Sequence, residues 1–168
     1  MLLTIFLISC NQELDYATDE PFIIVSSSIA GPDTAENFYP TIISLDVDGN
    51  LTLYSEPSDD IKMAEDRPIF ETTISKSEVE QVQQLLETNH FWKMEEDVSD
   101  DGSVDGSFTY VTVQLVDDEK TVGGLNPRNE EFLEIATTVR SYADGDERAK
   151  WREEIEAHIL EMNPEYRD

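Results

Sequence analysis

The sequence is poor in cysteine, histidine and basic residues. One cysteine and two histidines occur in 168 residues, so the chain offers neither an intrachain disulfide nor a cysteine-based zinc site. Lysine and arginine together number 11 against 38 aspartates and glutamates, which gives a formal net charge of −27. Because this charge repels phosphates, the sequence predicts no nucleic-acid partner and no docking on anionic lipid through a basic patch.

Sequence motifs of well-known catalytic sites are also missing. His90 and His158 are far apart along the chain, and no G-x-S-x-G segment accompanies them. A catalytic triad needs a nucleophile, a base and an orienting group that converge in space. The sequence therefore predicts a protein that is not an enzyme. An unrecognised hydrolase, in which such groups converge from distant positions, is an alternative.

A short apolar stretch stands at the N-terminus. Residues 1–9 read MLLTIFLIS, which is too short to span a bilayer but suits the apolar region of a secretory signal. Cys10 follows at once, and the segment 7–10 resembles the lipobox of bacterial lipoproteins. This resemblance implies that Cys10 carries lipid and anchors the chain at the extracytoplasmic face of the cell membrane. A secretory signal normally begins with Lys or Arg, and none is present before the apolar residues. A short buried strand is the alternative interpretation.

The pattern of the remaining chain predicts an acidic tether over residues 10–20 and a domain over 21–168. Apolar alternation predicts a strand that begins at Phe22 and further strands over 41–47, 51–55, 69–74, 108–116 and 121–125. The Asp-Gly pair between the second and third strands is typical of a hairpin.

Three helices complete the prediction. Ser75 and Glu78 match a capping box, and apolar spacing continues to about Glu87. Asn126-Pro127 is expected to open a second helix. A C-terminal helix over 146–162 has an apolar stripe at Trp151, Ile155, Ile159 and Met162. The order ββββαββαα predicts an α+β fold, with an antiparallel sheet of five to six strands and two to three helices on one face.

Several different short motifs are spread through the middle of the chain. They are the hairpin over 45–54, the Thr-Ile-Ser entry to the first helix (73–75), Asn89 and Phe91, Asp105-Gly106, and Gly-Gly-Leu-Asn-Pro over 123–127. With these motifs, the section 41–142 resembles a family of bacterial lipoprotein domains of unknown function. The resemblance implies a secreted, membrane-tethered domain and assigns no catalytic residue.

An acidic loop after the first helix is a candidate calcium site. Its residues match positions 1, 3, 5 and 9 of an EF-hand loop, with Gly102 at position 6: Asp97, Ser99, Asp101 and Asp105. The bidentate Glu of position 12 is replaced by Phe108. A solvated loop without metal is the alternative, so the prediction is no cofactor or a weakly bound calcium ion.

The sequence thus favours a monomeric, membrane-anchored binding or scaffolding module. Its expected partners are the membrane, through lipid on Cys10, and an extracytoplasmic protein or wall component that the sequence does not identify. A calcium-dependent module that uses the loop 97–105 is the second reading. Strong acidity suits a protein that faces high salt, where screening weakens self-repulsion.

Overall fold

Six strands form one antiparallel sheet. The structure is a computed structural model that describes residues 14–30, 39–56, 67–102, 105–143 and 145–166. The strands are β1 (Ile23–Ala30), β2 (Thr41–Leu45), β3 (Asn50–Tyr54), β4 (Phe70–Thr73), β5 (Gly106–Gln114) and β6 (Glu119–Leu125). Their order across the sheet is β4-β3-β2-β1-β5-β6, so β1 lies at the centre between β2 and β5.

Three helices complete the α+β fold predicted from the sequence. They are α1 (Lys76–Thr88), α2 (Glu130–Ser141) and α3 (Gly145–Met162), and short 3-10 turns follow α1 (Phe91–Lys93) and α3 (Pro164–Tyr166). α2 contacts β1, β2 and β5, while α1 packs on α2 and α3 packs against β4. In α3, Trp151, Ile155 and Ile159 are buried as the stripe predicts, whereas Met162 is 38% exposed.

The strand register explains why one face of the sheet is apolar. Val25 of β1 lies opposite Ile43 of β2 and opposite Val111 of β5. Residues that pair directly across antiparallel strands share a face, and all three side chains are at most 1% exposed. Burial of such aliphatic side chains contributes about 1.5–3 kcal/mol each. The helices cover this face, and the core lies between them and the sheet.

Two local predictions are confirmed in detail. At the start of α1, Ser75 N donates to Glu78 Oε2 at 2.6 Å, and Glu78 N donates back to Ser75 Oγ at 3.4 Å. In the hairpin between β2 and β3, Asp46 Oδ1 accepts from the backbone N of Asp48 and of Asn50, both at 2.9 Å. Gly49 has φ +89° there, a value that glycine adopts without a steric penalty.

The predicted start of the second helix is wrong by three residues. α2 begins at Glu130 and is capped by Asn129, whose Oδ1 accepts from Phe132 N at 2.8 Å. Asn126 instead has φ +46°, and its side-chain amide bonds to Ser107 N and to the Asp105 carbonyl. The side chain that was expected to cap the helix is therefore used to hold the start of β5.

Residues 14–20 of the predicted tether lie within the described part of the chain. Tyr16 and Ala17 are 8% and 2% exposed, and Ala17 N donates to the Gln114 carbonyl at 3.1 Å. Residues 14–17 thus pack along the end of β5 because an aromatic ring and two backbone bonds outweigh the local acidity. Cys10 lies outside the described residues. Within the described ranges, no helix has both the length and the apolarity needed to cross a membrane.

Candidate anion-binding site

A row of three hydroxyl groups crosses the sheet where the apolar row of β1 ends. Ser27 of β1 lies opposite Thr41 of β2 and opposite Thr109 of β5. All three side chains are on the helix-covered face, since Ser27 is two residues beyond Val25. We call Ser27, Thr41 and Thr109 the hydroxyl row. It gives the edge of the core a polar lining in place of an aliphatic one.

Arg140, in the last turn of α2, reaches this row. Its Nη2 donates to Ser27 Oγ and, at 3.0 Å, to Thr109 Oγ1. Arg140 is half-buried, and neutral hydroxyls are weaker partners for a guanidinium than a carboxylate is. The side chain is therefore oriented by the sheet, while its positive charge is not neutralised by these bonds.

Two further arginines approach from α3. Arg148 and Arg152 lie four residues apart, so they are neighbours on one side of the helix, and both line the same cavity as Arg140. We call this cavity, which contains the three arginines and the hydroxyl row, together with the smaller cavity that adjoins it, the arginine pocket. It collects three of the six arginines of a chain whose net charge is −27.

The described residues supply no carboxylate that pairs with the arginines of the arginine pocket. Among the described residues, none of the three guanidinium groups forms an ion pair with a carboxylate; the ion-paired arginines are Arg67 and Arg128. Burial, and then the positive charge of Arg148, lower the pKa of Arg140. Burying a charge is costly unless an opposite charge accompanies it. The arrangement therefore favours an anion as the missing partner.

The arginine pocket consists of two adjoining compartments. The cationic compartment has a cavity volume of about 280 Å³ and contains all three arginines and the hydroxyl row. The second compartment, of about 180 Å³, is lined by Ser28, Ile29 and Tyr39. Thr41, Ser107 and Arg152 are among the residues that line both. A ligand can therefore occupy the two compartments at once.

The chemistry of the cationic compartment suits an oxyanion. A guanidinium presents paired N–H donors that match the geometry of phosphate and carboxylate oxygens, and serine and threonine hydroxyls donate or accept as needed. Asp146 and Glu147 stand in the first turn of α3 but are not among the residues that line either compartment. Among the described residues, the charged ones that line the cavity are thus all arginines, although the chain is strongly negative.

The predicted calcium residues lie in another part of the fold. Asp97 and Ser99 line an open groove of about 510 Å³ beside β6, together with Phe108 and Tyr110. Hydrogen bonds from the Ser99 side chain and backbone lower the pKa of Asp97, and Ser99 Oγ accepts from Leu125 N at 3.0 Å.

The other two predicted ligands complete this picture. Asp101 and Asp105 are exposed, and the Asp105 carbonyl accepts from the Asn126 side chain. Within the part of the chain that is described, no three acidic, histidine or cysteine side chains come together as a metal site. Calcium binding by this loop stays a prediction.

The two histidines stand on separate elements. His90 is exposed beyond the end of α1, with φ +52°, and His158 is half-buried on α3. Neither lines a compartment of the arginine pocket. The pocket itself was not anticipated from the sequence. Its one sequence signal is that Arg148 and Arg152 precede Ile155 and Ile159 at helical spacing, which places them beside the buried stripe of α3.

Comparison with protein-family models and with curated proteins finds no match to this chain. The resemblance to bacterial lipoprotein domains therefore stays a prediction.

Proposed function

We propose that this chain is a non-enzymatic binding module that takes a small anionic ligand in the arginine pocket. The observation that carries the proposal is the convergence of Arg140, Arg148 and Arg152 on one cavity without a carboxylate partner among the described residues. A folded protein rarely keeps a half-buried guanidinium uncompensated. A bound oxyanion supplies the countercharge and accepts hydrogen bonds from the guanidinium forks.

The acidity of the whole chain does not prevent this binding. At physiological ionic strength the Debye length is about 8 Å, so distant surface carboxylates are largely screened from an ion inside the pocket. The three arginines contact the ion directly and dominate its local potential. The long-range field still slows the approach of anions, and we expect a modest association rate.

The membrane anchor remains part of the proposal. The lipobox-like segment that ends at Cys10 supports a chain held at the extracytoplasmic face of the membrane by lipid. A module in this position presents its pocket to anions outside the cell. The intact mass of the protein purified from its native membranes tests this: we expect a mature chain that begins at Cys10 with a diacylglyceryl addition. A free Cys10 thiol behind an intact Met1 would refute the anchor.

The test of the pocket is a titration of the purified full chain with inorganic phosphate at constant ionic strength. Calorimetry measures the binding, and thermal unfolding measures the effect on stability. We expect saturable one-to-one binding. At a phosphate concentration of 100 times Kd, ligand linkage adds about 2.7 kcal/mol to the free energy of unfolding. For a chain of this length that gain raises Tm by roughly 5–10 °C.

Arg152→Gln is the matched variant, because Arg152 is exposed on α3 and its replacement leaves the core intact. We expect it to weaken phosphate binding at least tenfold. Arg128→Gln is the control, since Arg128 carries the same charge but pairs with Asp100 at 2.7 Å outside the pocket. Equal phosphate affinity in the wild type and in Arg152→Gln would contradict the proposal, as would the absence of saturable binding.

A further inference from the structure

The second compartment of the arginine pocket differs in character from the cationic one. Its wall combines the hydroxyls of Ser27 and Ser107 with the apolar surfaces of Ile29 and Tyr39. Ile29 is 47% exposed, which is unusual for a large aliphatic residue in a strand that is otherwise well covered. Tyr39 is held in place edge-to-face against Trp151, with ring centroids 6.4 Å apart.

This wall has the two features that recognise a sugar ring. Hydroxyl side chains exchange hydrogen bonds with sugar hydroxyls in either direction, and an apolar side chain packs against the C–H face of the ring. The compartment has a volume of about 180 Å³, which leaves room for one small ring. Ligand sites typically combine such an apolar surface with a few polar groups.

The two compartments are continuous through shared residues, so the anion and the ring belong to one ligand. Arg152, Ser27, Thr41 and Ser107 line both. An anionic group bound by the guanidiniums in the cationic compartment places its nearest substituents against Ser107 and Ile29. A bare inorganic ion leaves this second wall in contact with water alone.

We infer that the ligand of the arginine pocket is a monosaccharide unit that carries an anionic group, either a phosphate ester or a carboxylate. The anionic group binds Arg140, Arg148 and Arg152, and the ring lies against Ile29 and the serine hydroxyls. This inference rests on the proposed function, because it assumes an anion in the cationic compartment. No covalent step is involved.

The experiment compares affinities of the full chain for four kinds of probe at constant ionic strength. They are inorganic phosphate, three hexose 6-phosphates (of glucose, mannose and N-acetylglucosamine), glucuronate with acetate as its ring-free counterpart, and uncharged glucose. We expect at least one anionic sugar to bind tenfold or more tightly than its ring-free anion, and glucose to bind too weakly to measure. A preference for the phosphates or for glucuronate identifies the anionic group.

Ile29→Ser separates the ring from the anion. We expect this variant to weaken binding of the preferred anionic sugar three- to tenfold and to leave the affinity for inorganic phosphate unchanged. Ile69→Ser is the matched control, since Ile69 is 51% exposed and lines neither compartment.

The outcomes distinguish the two claims. If phosphate binds but no sugar of the panel improves on its ring-free anion, the inference is wrong and the proposed function stands. If no probe binds, both are wrong. An equal loss of sugar affinity in Ile29→Ser and Ile69→Ser would also overturn the inference, because the effect would then not come from the second compartment.

Discussion

Arg148→Gln should make the unliganded protein more stable. The positive charge of Arg148 acts on the buried guanidinium of Arg140 and lowers its pKa, and Arg148 has no ion-pair partner within the described ranges. Removal of a like charge at a half-exposed position is worth about 0.2–1 kcal/mol, by analogy with surface pairs of opposite sign. For a chain of this length, the expected gain in Tm is at most about 4 °C.

The net charge of the chain alone predicts the opposite result, so the sign of the Tm change distinguishes the two effects. In a protein of charge −27, the loss of any positive charge increases overall self-repulsion and should lower stability. Arg128→Gln changes the net charge by the same amount and also breaks the ion pair with Asp100. We therefore expect opposite signs: Arg128→Gln lowers Tm and Arg148→Gln raises it, when both are measured by thermal unfolding at low ionic strength without phosphate.

Added phosphate should reverse the order of wild type and Arg148→Gln. Linkage at 100 times Kd adds about 2.7 kcal/mol to the wild type, which exceeds the gain expected from the substitution. The two Tm curves should therefore cross as phosphate is raised. If Arg148→Gln is destabilising without phosphate, or if the curves stay parallel throughout the titration, the description of the pocket as an uncompensated anion site is refuted.

Three other perturbations test separate features. NaCl between about 0.02 and 1 M should raise Tm continuously, because screening weakens self-repulsion; a flat or falling Tm would contradict this. Calcium at millimolar concentration should raise Tm if the loop 97–105 binds it, and Asp97→Asn should abolish the shift; no shift removes the calcium reading. Burial, and then the charge of Glu87, raise the pKa of Tyr16, so the folded state resists its ionisation. Its contribution is complete below pH 10 and is lost as pH rises above 10, and Tyr16→Phe should reduce the alkaline loss of stability; an unchanged pH profile would mean that Tyr16 is not packed as described.

Local sequence signals predicted the structure correctly at positions where the side chain has a single possible hydrogen-bonding role. Ser75 and Glu78 form the capping box that their spacing indicates, and Asp46 and Gly49 form the predicted hairpin turn. The start of α2 was misjudged because Asn126 and Asn129 are both good capping residues. Tertiary contacts with the start of β5 engage Asn126, and this choice depends on β5, which is distant in sequence.

The arginine pocket could not be predicted from the sequence because its residues, like the partners of Asn126, are distant along the chain. Ser27, Thr109 and Arg140 belong to three elements, and only the strand order, which places β1 between β2 and β5, brings them together. In the sequence, Arg148 and Arg152 look like solvated residues of a charged helix. Their spacing shows on which side of α3 they lie, but it does not show which part of the fold that side contacts.

If the pocket binds anions as proposed, the contrast between the acidic chain and the basic pocket should select among them. A polyanion such as a nucleic acid must place many charges along the outer surface of a chain in which 38 acidic residues outnumber 11 basic ones, and each added phosphate there is unfavourable. A small anion would instead enter a cavity of about 280 Å³, where the charged residues among the described lining are the three arginines. On the proposed function, the acidic surface would therefore exclude large anions, while Arg140, Arg148 and Arg152 would bind small ones.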